Sequence, residues 1–401
     1  MMDMRNRVGI TGLGIMAANG IGLTDFWDTL ERGESGIGPI TCFDPEGMKC
    51  QIAGEVSDFD PEYWIPPEFK PRRMSRGSQF AVTAARLAIE DAGLTTEVLE
   101  KCEPIPCILG VCSSALDILA KNPTVSTAGA SLPNSAVTAV GQMYHFQTRN
   151  ITLSNACSSG LDAICLGMNL VKRGEADIVL AGGADASLTR YCLESLLKCK
   201  RCCTLNDEPS RASRPFDRAR DRGVLAEGAG IVVIENWVHA LARGVRPAAE
   251  VVSYGSCVDH KDEEEGLGLR RTMEMAMSNA GLRPKDIDCI FAHGPSDTEM
   301  DAAETRAIKK AFGDDAYKIP VTSIKGVTGC SMGAGGAHQV IAGALSMTHS
   351  LIPPTANFEH GDEECDLDYV PGRARRASIQ HTLINAHGIG QSNTSLILRA
   401  S

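Results

Sequence analysis

The stretch Ile151-Thr152-Leu153-Ser154-Asn155-Ala156-Cys157-Ser158-Ser159-Gly160 joins two elements of different kind. Its first four residues have the character of a buried strand, and apolar residues recur at helical spacing from Leu161 onwards. The pattern predicts a strand, a turn of small residues, and a helix that begins next to Cys157. A thiol at a helix N-terminus faces unpaired N–H groups and the positive end of the dipole, which favour the thiolate. We therefore expect a reactive cysteine in an α/β protein, rather than a thiol packed as a small hydrophobic residue.

Strand-like runs alternate with helical stretches along the whole chain, which predicts an α/β protein with largely parallel sheets. The strands are expected at 8–11, 106–111, 151–154, 178–181, 231–234, 249–254, 287–292, 320–323, 382–385 and 395–398. The segment 153–160 with its helix resembles 324–336 with the helix that follows, and Gly-rich strands at 226–230 and 385–390 close both parts. This predicts a duplicated βα unit with halves 1–245 and 246–401, and a site where loops of the two halves meet.

Length, charge and composition argue against several classes of protein. The 401 residues exceed the usual size of one hydrophobic core, and a net charge of −11 argues against nucleic-acid binding. No run reaches the ~18 apolar residues of a membrane span. The N-terminus lacks the apolar block of a signal peptide, so we expect a cytoplasmic protein whose 15 cysteines are reduced. Cys199, Cys202 and Cys203 have no second pair at ligand spacing, and no metal site is expected.

Further polar residues lie on loops at the ends of predicted strands. His293 follows the strand at 287–292, Lys325 follows the strand at 320–323, and His387 lies in the Gly-rich C-terminal loop. Open α/β sheets bind ligands at the carboxyl ends of their strands, which makes these residues candidates for chemistry. Asp301 and Glu304, one helical turn apart, could orient this region by pairing with Lys325.

Short motifs occur in a fixed order from one end of the chain to the other. They are VGITGLG at 8–14, NACSSG at 155–160, AGGAD at 181–185, SRPFD at 213–217, EGAG at 227–230, HG at 293–294, TG at 328–329 and GAGG at 333–336. In this order they resemble the β-ketoacyl-acyl carrier protein synthases, condensing enzymes of fatty-acid and polyketide synthesis. The resemblance implies a thiolase-like fold, with duplicated βα halves in a five-layered αβαβα arrangement.

The resemblance also implies a reaction and roles for individual residues. An acyl thioester is transferred to the cysteine, and a malonyl thioester then decarboxylates and attacks the acyl-enzyme in a Claisen condensation. Cys157 corresponds to the nucleophile, and the backbone N–H groups of Cys157 and Ile389 to the oxyanion hole. His293 corresponds to one of two histidines that polarise the malonyl carbonyl, and Lys325 to a supporting lysine. No cofactor is implied beyond the phosphopantetheine thioester of the substrate carrier.

Departures from the family pattern fall on positions that correspond to the catalytic and substrate-binding residues of the family. Cys330 stands where the second histidine is expected, which implies a Cys-His-Cys triad in which a thiol, a weak donor, replaces an imidazole. Pro295 and Asp297 replace two threonines that bind pantetheine, and Arg222-Gly223 replaces a Gly-Phe pair. His387 and Ile389 replace two aromatic residues, the second of which gates the acyl site. The residues expected to contact the substrate are Ser296, Asp297, His387, Ile389 and Arg222.

Three functions follow. The chain is a divergent condensing enzyme, or an acyltransferase that uses acyl-Cys157 without decarboxylation, or a chain-length-type partner subunit of an active ketosynthase. The implied partners are an acyl carrier protein or acyl-CoA, and a second ketosynthase-like subunit in a homodimer or heterodimer formed through the sheet that precedes the nucleophile. An acidic carrier requires a basic surface, for which there are two candidates. One comprises Lys70, Arg72, Arg73 and Arg76, and the other Lys198, Lys200 and Arg201.

Overall fold

A computed structural model describes residues 6–95, 98–99, 104–113, 115–121, 129–144, 147–260 and 266–401. Residues 1–5, on which the expectation of a missing signal peptide rests, lie outside the described ranges. No helix within those ranges has the length and apolar character needed to cross a bilayer.

Strands and helices alternate through both halves of the chain. The strands are β1 Val8–Ala17, β2 Gly20–Ile21, β3 Gly38–Pro39, β4 Ile52–Ala53, β5 Ile105–Gly110, β6 Thr148–Leu153, β7 Ile178–Asp185, β8 Gly228–Asn236, β9 Ala249–Val258, β10 Cys289–Phe291, β11 Val321–Thr322, β12 Leu351–Ile352, β13 Arg375–Arg376, β14 His381–His387 and β15 Ser392–Ala400. The α-helices are α1 Leu23–Arg32, α2 Pro61–Trp64, α3 Arg76–Asp91, α4 Leu116–Lys121, α5 Ser135–Met143, α6 Ser159–Lys172, α7 Arg190–Lys198, α8 Pro209–Ala212, α9 Trp237–Ala242, α10 Leu267–Ala280, α11 Thr298–Phe312, α12 Lys325–Thr328 and α13 Gly335–His349. Short 3₁₀ turns are Pro67–Phe69, Pro71–Arg73, Gly129–Ser131, Pro284–Asp286, Gly313–Tyr317 and Met332–Ala334.

The two halves have the same sheet topology. In the first half the order is β6-β5-β7-β8-β1, with β6, β5 and β7 parallel and β8 antiparallel to both of its neighbours. In the second half the order β11-β10-β14-β15-β9 repeats this pattern of directions. The two sheets join where Gly9 and Ile10 of β1 pair with Glu250 and Ala249 of β9. Every strand expected from the sequence is present.

Alternating strand residues divide the core into layers. One apolar cluster packs α6 and α13 between the two sheets, with Ile108 and Phe291 among the strand residues that face it. A second covers the outer face of the first sheet with α3 and α5, and includes Leu109. A third covers the outer face of the second sheet with α10 and α11, and includes Ile290. This is the five-layered αβαβα arrangement that the family resemblance implies.

The Gly-rich motifs mark close approaches of backbone. A Cβ on Gly12 or Gly14 of β1 would lie 2.1 or 2.0 Å from carbonyl oxygens of α3. Between the halves, a Cβ on Gly160 would lie 2.5 Å from the carbonyl oxygen of Gly333, and one on Gly336 would lie 2.7 Å from Cβ of Leu161. The glycines therefore allow the N-termini of α6 and α13 to meet.

One expected correspondence between the halves is wrong. The sequence predicts that segments 226–230 and 385–390 are equivalent Gly-rich closing strands. Segment 226–230 leads into β8, whose counterpart in the sheet order is β15, whereas 385–390 ends β14, the counterpart of β7. Glycines suit any crowded strand end, so their presence does not fix which strand carries them.

Candidate functional site

Cys157 lies in the tight turn between β6 and α6. Its N-terminal neighbour Ala156 has φ of +51°, a left-handed conformation that is costly for a residue with a Cβ. The N–H of Ser158 donates to the carbonyl of Asn155 at 3.3 Å, and that of Ser159 donates to the carbonyl of Ala156 at 3.2 Å. These bonds close the turn and place the thiol at the start of α6, where the sequence predicts it.

The thiol opens into a cavity of about 40 Å³ between the two halves. His293 and Cys330 line the same cavity, as does Ile389, which is 49% exposed at its edge. The remaining lining residues are mostly apolar. They are Leu196, Gly223, Leu225, Pro295, Met300 and Met332, together with the half-buried Arg201 and the buried Asp297.

The thiols of Cys157 and Cys330 perturb each other's ionisation in this cavity. The Cys157 thiol lowers the pKa of Cys330 to about 6, helped by the charge of Lys325. The Cys330 thiol, together with burial, raises the pKa of Cys157 well above its ordinary value. The helix N-terminus alone predicts a lowered pKa for Cys157, and the neighbouring thiol reverses it. The two sulfurs share one negative charge at neutral pH, in a titration that belongs to the pair.

His293 is held as a neutral imidazole. Nζ of Lys325 lies 3.2 Å from Nδ1 of His293 and donates to its backbone carbonyl. Burial, Lys325 and His387 lower the pKa of His293 well below its ordinary value. An ammonium can only donate, so Nδ1 accepts and the ring proton sits on Nε2. The ring therefore presents an N–H donor.

The two carboxylates of α11 do not pair with Lys325, contrary to the expectation from spacing. Glu304 accepts hydrogen bonds from the backbone N–H groups of His293 and Gly294, both at 2.8 Å, and from Asn385 at 3.0 Å. Asp301 accepts from the N–H of Phe216 at 2.8 Å. Glu304 thus fixes the loop that carries His293 through its backbone.

The loop after β14 lies against the cysteine turn. A Cβ on Gly388 would lie 2.8 Å from the carbonyl oxygen of Asn155, so only glycine fits. Ser392 reinforces the contact by donating to the same carbonyl at 2.9 Å. The N–H groups of Cys157 and Ile389 have no hydrogen-bond partner within the described ranges, which leaves both available to a developing oxyanion.

The residues expected to contact substrate occupy different places. Asp297 is buried and lines the cavity, but its carboxylate caps α11 by accepting from the N–H groups of Glu299 and Met300, and it pairs with Arg201 at 3.3 Å. Ser296 does not line the cavity, because its hydroxyl is buried and accepts from the N–H of Arg214 at 2.9 Å.

Arg222 also lies outside the cavity wall. Its guanidinium donates to the carbonyl of Lys200 at 2.7 Å and to the hydroxyl of Thr298. It therefore braces the segment after α7 against the start of α11. Gly223, next in the chain, does line the cavity, so the missing aromatic of the Gly-Phe pair leaves a wall without a side chain.

His387 lies beside a second small cavity that it shares with His293 and Glu304. The two imidazoles meet edge to face, with ring centroids 6.1 Å apart. Nδ1 of His387 lies 2.6 Å from Oδ1 of Asn393, whose Nδ2 donates to the carbonyl of Gln391. Because that amide is oriented, the proton of His387 sits on Nδ1 in the neutral ring and Nε2 is an acceptor.

Sequence reasoning does not assign five of the lining residues to the cavity, which are Leu196, Arg201, Leu225, Met300 and Met332. Met332 places Sδ 3.9 Å from Sγ of Cys157, and its φ of +49° has no sequence signature in a methionine. The sequence places Arg201 only in a basic surface patch, and no local signal marks it as part of the cavity. Within the described ranges, no group of three His, Cys, Asp or Glu side chains could hold a metal ion.

Comparison with known proteins agrees with this geometry. The family model described as "Beta-ketoacyl synthase, N-terminal domain" matches residues 5–240, and the model for the corresponding C-terminal domain matches residues 248–359. A 3-oxoacyl-[acyl-carrier-protein] synthase 2 of Coxiella burnetii is 36% identical, with 98% of each chain covered. The tetracenomycin polyketide synthase ketoacyl synthase alpha subunit of Streptomyces glaucescens is 35% identical over 98% of this chain and 96% of its own.

Solved structures show the same similarity. The ishigamide ketosynthase/chain length factor superposes with a TM-score of 0.90 at 33% identity, over 99% of this chain and 100% of that one. A ketosynthase in complex with a type II polyketide-synthase acyl-carrier protein superposes with a TM-score of 0.87 at 28% identity, over 98% and 99% of the two chains.

Proposed function

The chain belongs to the β-ketoacyl synthase family, and from this premise we propose that it transfers an acyl group to Cys157 and extends it by decarboxylative condensation. One observation carries the proposal. The Cys157 thiol shares a cavity with a neutral His293 and with Ile389, and the backbone N–H groups of Cys157 and Ile389 have no partner in the described part of the chain. A nucleophile, an oxyanion hole and a donor for a second carbonyl are thus in one place.

In the acylation step, the shared thiolate attacks the carbonyl carbon of a thioester. The N–H groups of Cys157 and Ile389 stabilise the tetrahedral oxyanion, the bond to the carrier sulfur breaks, and the carrier thiolate takes up a proton. Cys330, whose pKa is lowered to about 6, accepts the proton of Cys157 as the attack begins. Lys325 stabilises the negative charge on either sulfur.

In the condensation step, a malonyl thioester loses CO₂ and its C2 attacks the acyl-Cys157 carbonyl. The bond from carbon to the Cys157 sulfur breaks, and the cysteine regains its thiolate. Nε2–H of His293 donates to the malonyl carbonyl oxygen as enolate charge develops. Lys325 fixes the tautomer of His293, and Glu304 fixes its backbone.

Cys330 favours a second candidate function. A thiol donates weakly, and loss of one donor to a developing oxyanion costs about 10²–10³ in rate. The acylation step is unaffected by this loss, whereas decarboxylation is slowed. The alternative function is therefore that of an acyltransferase, which passes the acyl group from Cys157 to a different nucleophile. Similarity to the ishigamide ketosynthase/chain length factor supports the partner-subunit function, but the complete cysteine turn argues against a purely structural role.

We propose an acyl carrier protein as the substrate carrier. Arg201 lines the cavity, and Lys198 and Lys200 are exposed beside it. Both basic candidates are partly neutralised, because Arg201 pairs with Asp297 at 3.3 Å, Arg76 pairs with the buried Glu227 at 2.6 Å and Arg72 pairs with Glu62 at 2.7 Å. The surface at 198–201 is preferred as the docking site for an acidic carrier because Arg201 lines the cavity that holds Cys157.

Intact-protein mass spectrometry after incubation with acyl carrier thioesters tests the proposal. We expect one acyl group per chain on Cys157 in the wild type and none in Cys157→Ala. A subsequent chase with malonyl carrier should release CO₂ and the extended product. Acylation without CO₂ would favour the alternative acyltransferase, and no acylation by any chain length would favour the partner subunit.

A further inference from the structure

We propose that Cys157 and Cys330 form a redox-active dithiol, whose oxidation to an internal disulfide reversibly removes the nucleophile. The two residues come from different halves of the chain and line one cavity. A bond between them would cross from the turn before α6 to the turn before α13. The dithiol itself is independent of the proposed function, and only its effect on acylation depends on that function.

The geometry places the two thiols on one cavity. Cys157 and Cys330 both line it, and each thiol is the main influence on the pKa of the other. The backbone of Cys330 is fixed beside Leu225, because its N–H donates to the carbonyl of Val224 at 2.8 Å and its carbonyl accepts from Ala226 at 2.9 Å. Cys157 is fixed by its turn, so the pair stays in register in the folded protein.

The charge distribution supports thiol chemistry at this pair. The positive charge of Lys325 favours a negative charge on either sulfur. Thiol–disulfide exchange requires a thiolate as the attacking group, and its rate follows the thiolate fraction. A thiol and a thiolate beside an ammonium therefore provide both an attacking and a resolving cysteine.

The oxidant is a small-molecule disulfide. The thiolate of the pair attacks one of its sulfurs and expels one small thiol, which forms a mixed disulfide. The other cysteine then attacks the protein sulfur of that mixed disulfide, forms the Cys157–Cys330 bond, and expels the second small thiol. The two cysteines lose two electrons and the oxidant gains them. Of the two small thiolates expelled, one takes up the single proton of the cysteine pair and the other takes a proton from solvent.

A second thiol pair in the chain provides an internal comparison. Cys50 and Cys202 also perturb each other's pKa, but both are buried in an apolar cluster that includes Leu225 of the cavity lining. No lysine contributes to the pKa of either thiol. We expect this pair to react with the oxidant far more slowly than the pair at the active cavity.

The test uses the full chain with Cys199→Ser, which removes an exposed thiol that would form mixed disulfides. Incubation with oxidised glutathione should lower the intact mass by two hydrogen atoms, and digestion should give one linked peptide that contains Cys157 and Cys330. Acylation of Cys157 should fall in parallel, and dithiothreitol should restore both. Introducing C202S into the same Cys199→Ser chain should leave the loss of two hydrogen atoms unchanged.

The variant C330S distinguishes formation of the internal disulfide from simple modification of Cys157 by glutathione. Its remaining thiol should instead gain one glutathione, with no loss of two hydrogens. The proposal is wrong if the wild type also gains only glutathione, or if the linked peptide joins Cys50 to Cys202. The mass readout does not require acylation, so an inactive but readily oxidised protein would contradict the proposed function and leave the dithiol intact.

Discussion

At the residue scale, the site departs from the family pattern at Cys330, which replaces the imidazole donor of the second histidine. The backbone around Cys330 holds it in place. Cys330 keeps the backbone bonds to Val224 and Ala226 that fix its position, and its side chain faces Cys157. The neutral His293 therefore remains the single imidazole donor in the cavity that holds the thiol, within the described residues. Whether the site catalyses decarboxylation as well as acylation therefore depends on what the Cys330 thiol can do at the position of the second histidine.

Replacing Cys330 by histidine should raise the rate of malonyl decarboxylation by about 10²-fold, because it adds an imidazole N–H beside the developing enolate. The measurement is release of labelled CO₂ from malonyl carrier by the acylated enzyme. Cys330→Ser is the matched control, since it changes the side chain without adding the ring, and should give no such gain. Equal rates for the histidine variant and the wild type would mean that the cavity no longer binds malonyl groups productively.

The rate at which the thiol pair is alkylated should depend on pH, because the pair shifts the pKa of Cys330. The pKa of Cys330 is lowered to about 6, so the thiolate is present above that pH and is lost as pH falls through it. The rate of reaction with iodoacetamide should rise through pH 6 and then level off. In Cys330→Ala the thiol with the lowered pKa is removed, and the rise should move to higher pH, towards the ordinary thiol value of about 8.5. An unchanged profile in that variant would contradict the pairing.

At the element scale, the site depends on how closely two helices approach. The N-termini of α6 and α13 meet through glycines, which brings the Cys157 turn next to the Cys330 turn. The carboxylate of Asp185 at the end of β7 adds to this contact by accepting from the N–H groups of Cys112 and Gly333 at 2.7 and 3.0 Å. The site therefore lies on the contact between halves.

Gly336→Ala should lower the free energy of unfolding by about 1–3 kcal/mol, because overpacking forces neighbouring groups to shift. The new Cβ would lie 2.7 Å from Cβ and 2.8 Å from the backbone nitrogen of Leu161. Gly335→Ala is the matched control, since its Cβ would come no closer than 3.8 Å to Ser331, and should change stability by less than about 1 kcal/mol. Urea unfolding of both variants gives the comparison, and equal stabilities would contradict the close approach.

At the scale of the whole molecule, no strand among the described residues pairs with the outer side of β6, which ends the large sheet. Ile105 and Val111 donate to the carbonyls of Gln147 and Leu153. In a parallel ladder this register turns the N–H groups of Asn150 and Thr152 away from β5. An edge with free N–H groups pairs readily with another strand, and this one directly precedes the cysteine turn.

Asn150→Pro should therefore weaken a dimer formed through β6, because it removes an outward N–H without touching the bonds to β5. Asn150→Thr keeps the N–H and should remain dimeric. Native mass spectrometry and light scattering at micromolar concentration measure the subunit number. A proline variant that stays fully dimeric would place the interface elsewhere on the molecule.

The sequence by itself determined the order of strands and helices, the duplication and the position of Cys157, because hydrophobic periodicity and small turn residues are local signals. Strand ends also marked His293 and Lys325 as candidates for one site, and the family resemblance added Cys330. The tertiary structure alone decided how the charges are distributed. It placed a second thiol against Cys157 and so reversed the expected pKa shift. It also turned Glu304 to the backbone of His293, and Ser296 and Arg222 away from the cavity. Such contacts join residues far apart in the chain, and no local pattern encodes the direction in which a side chain points.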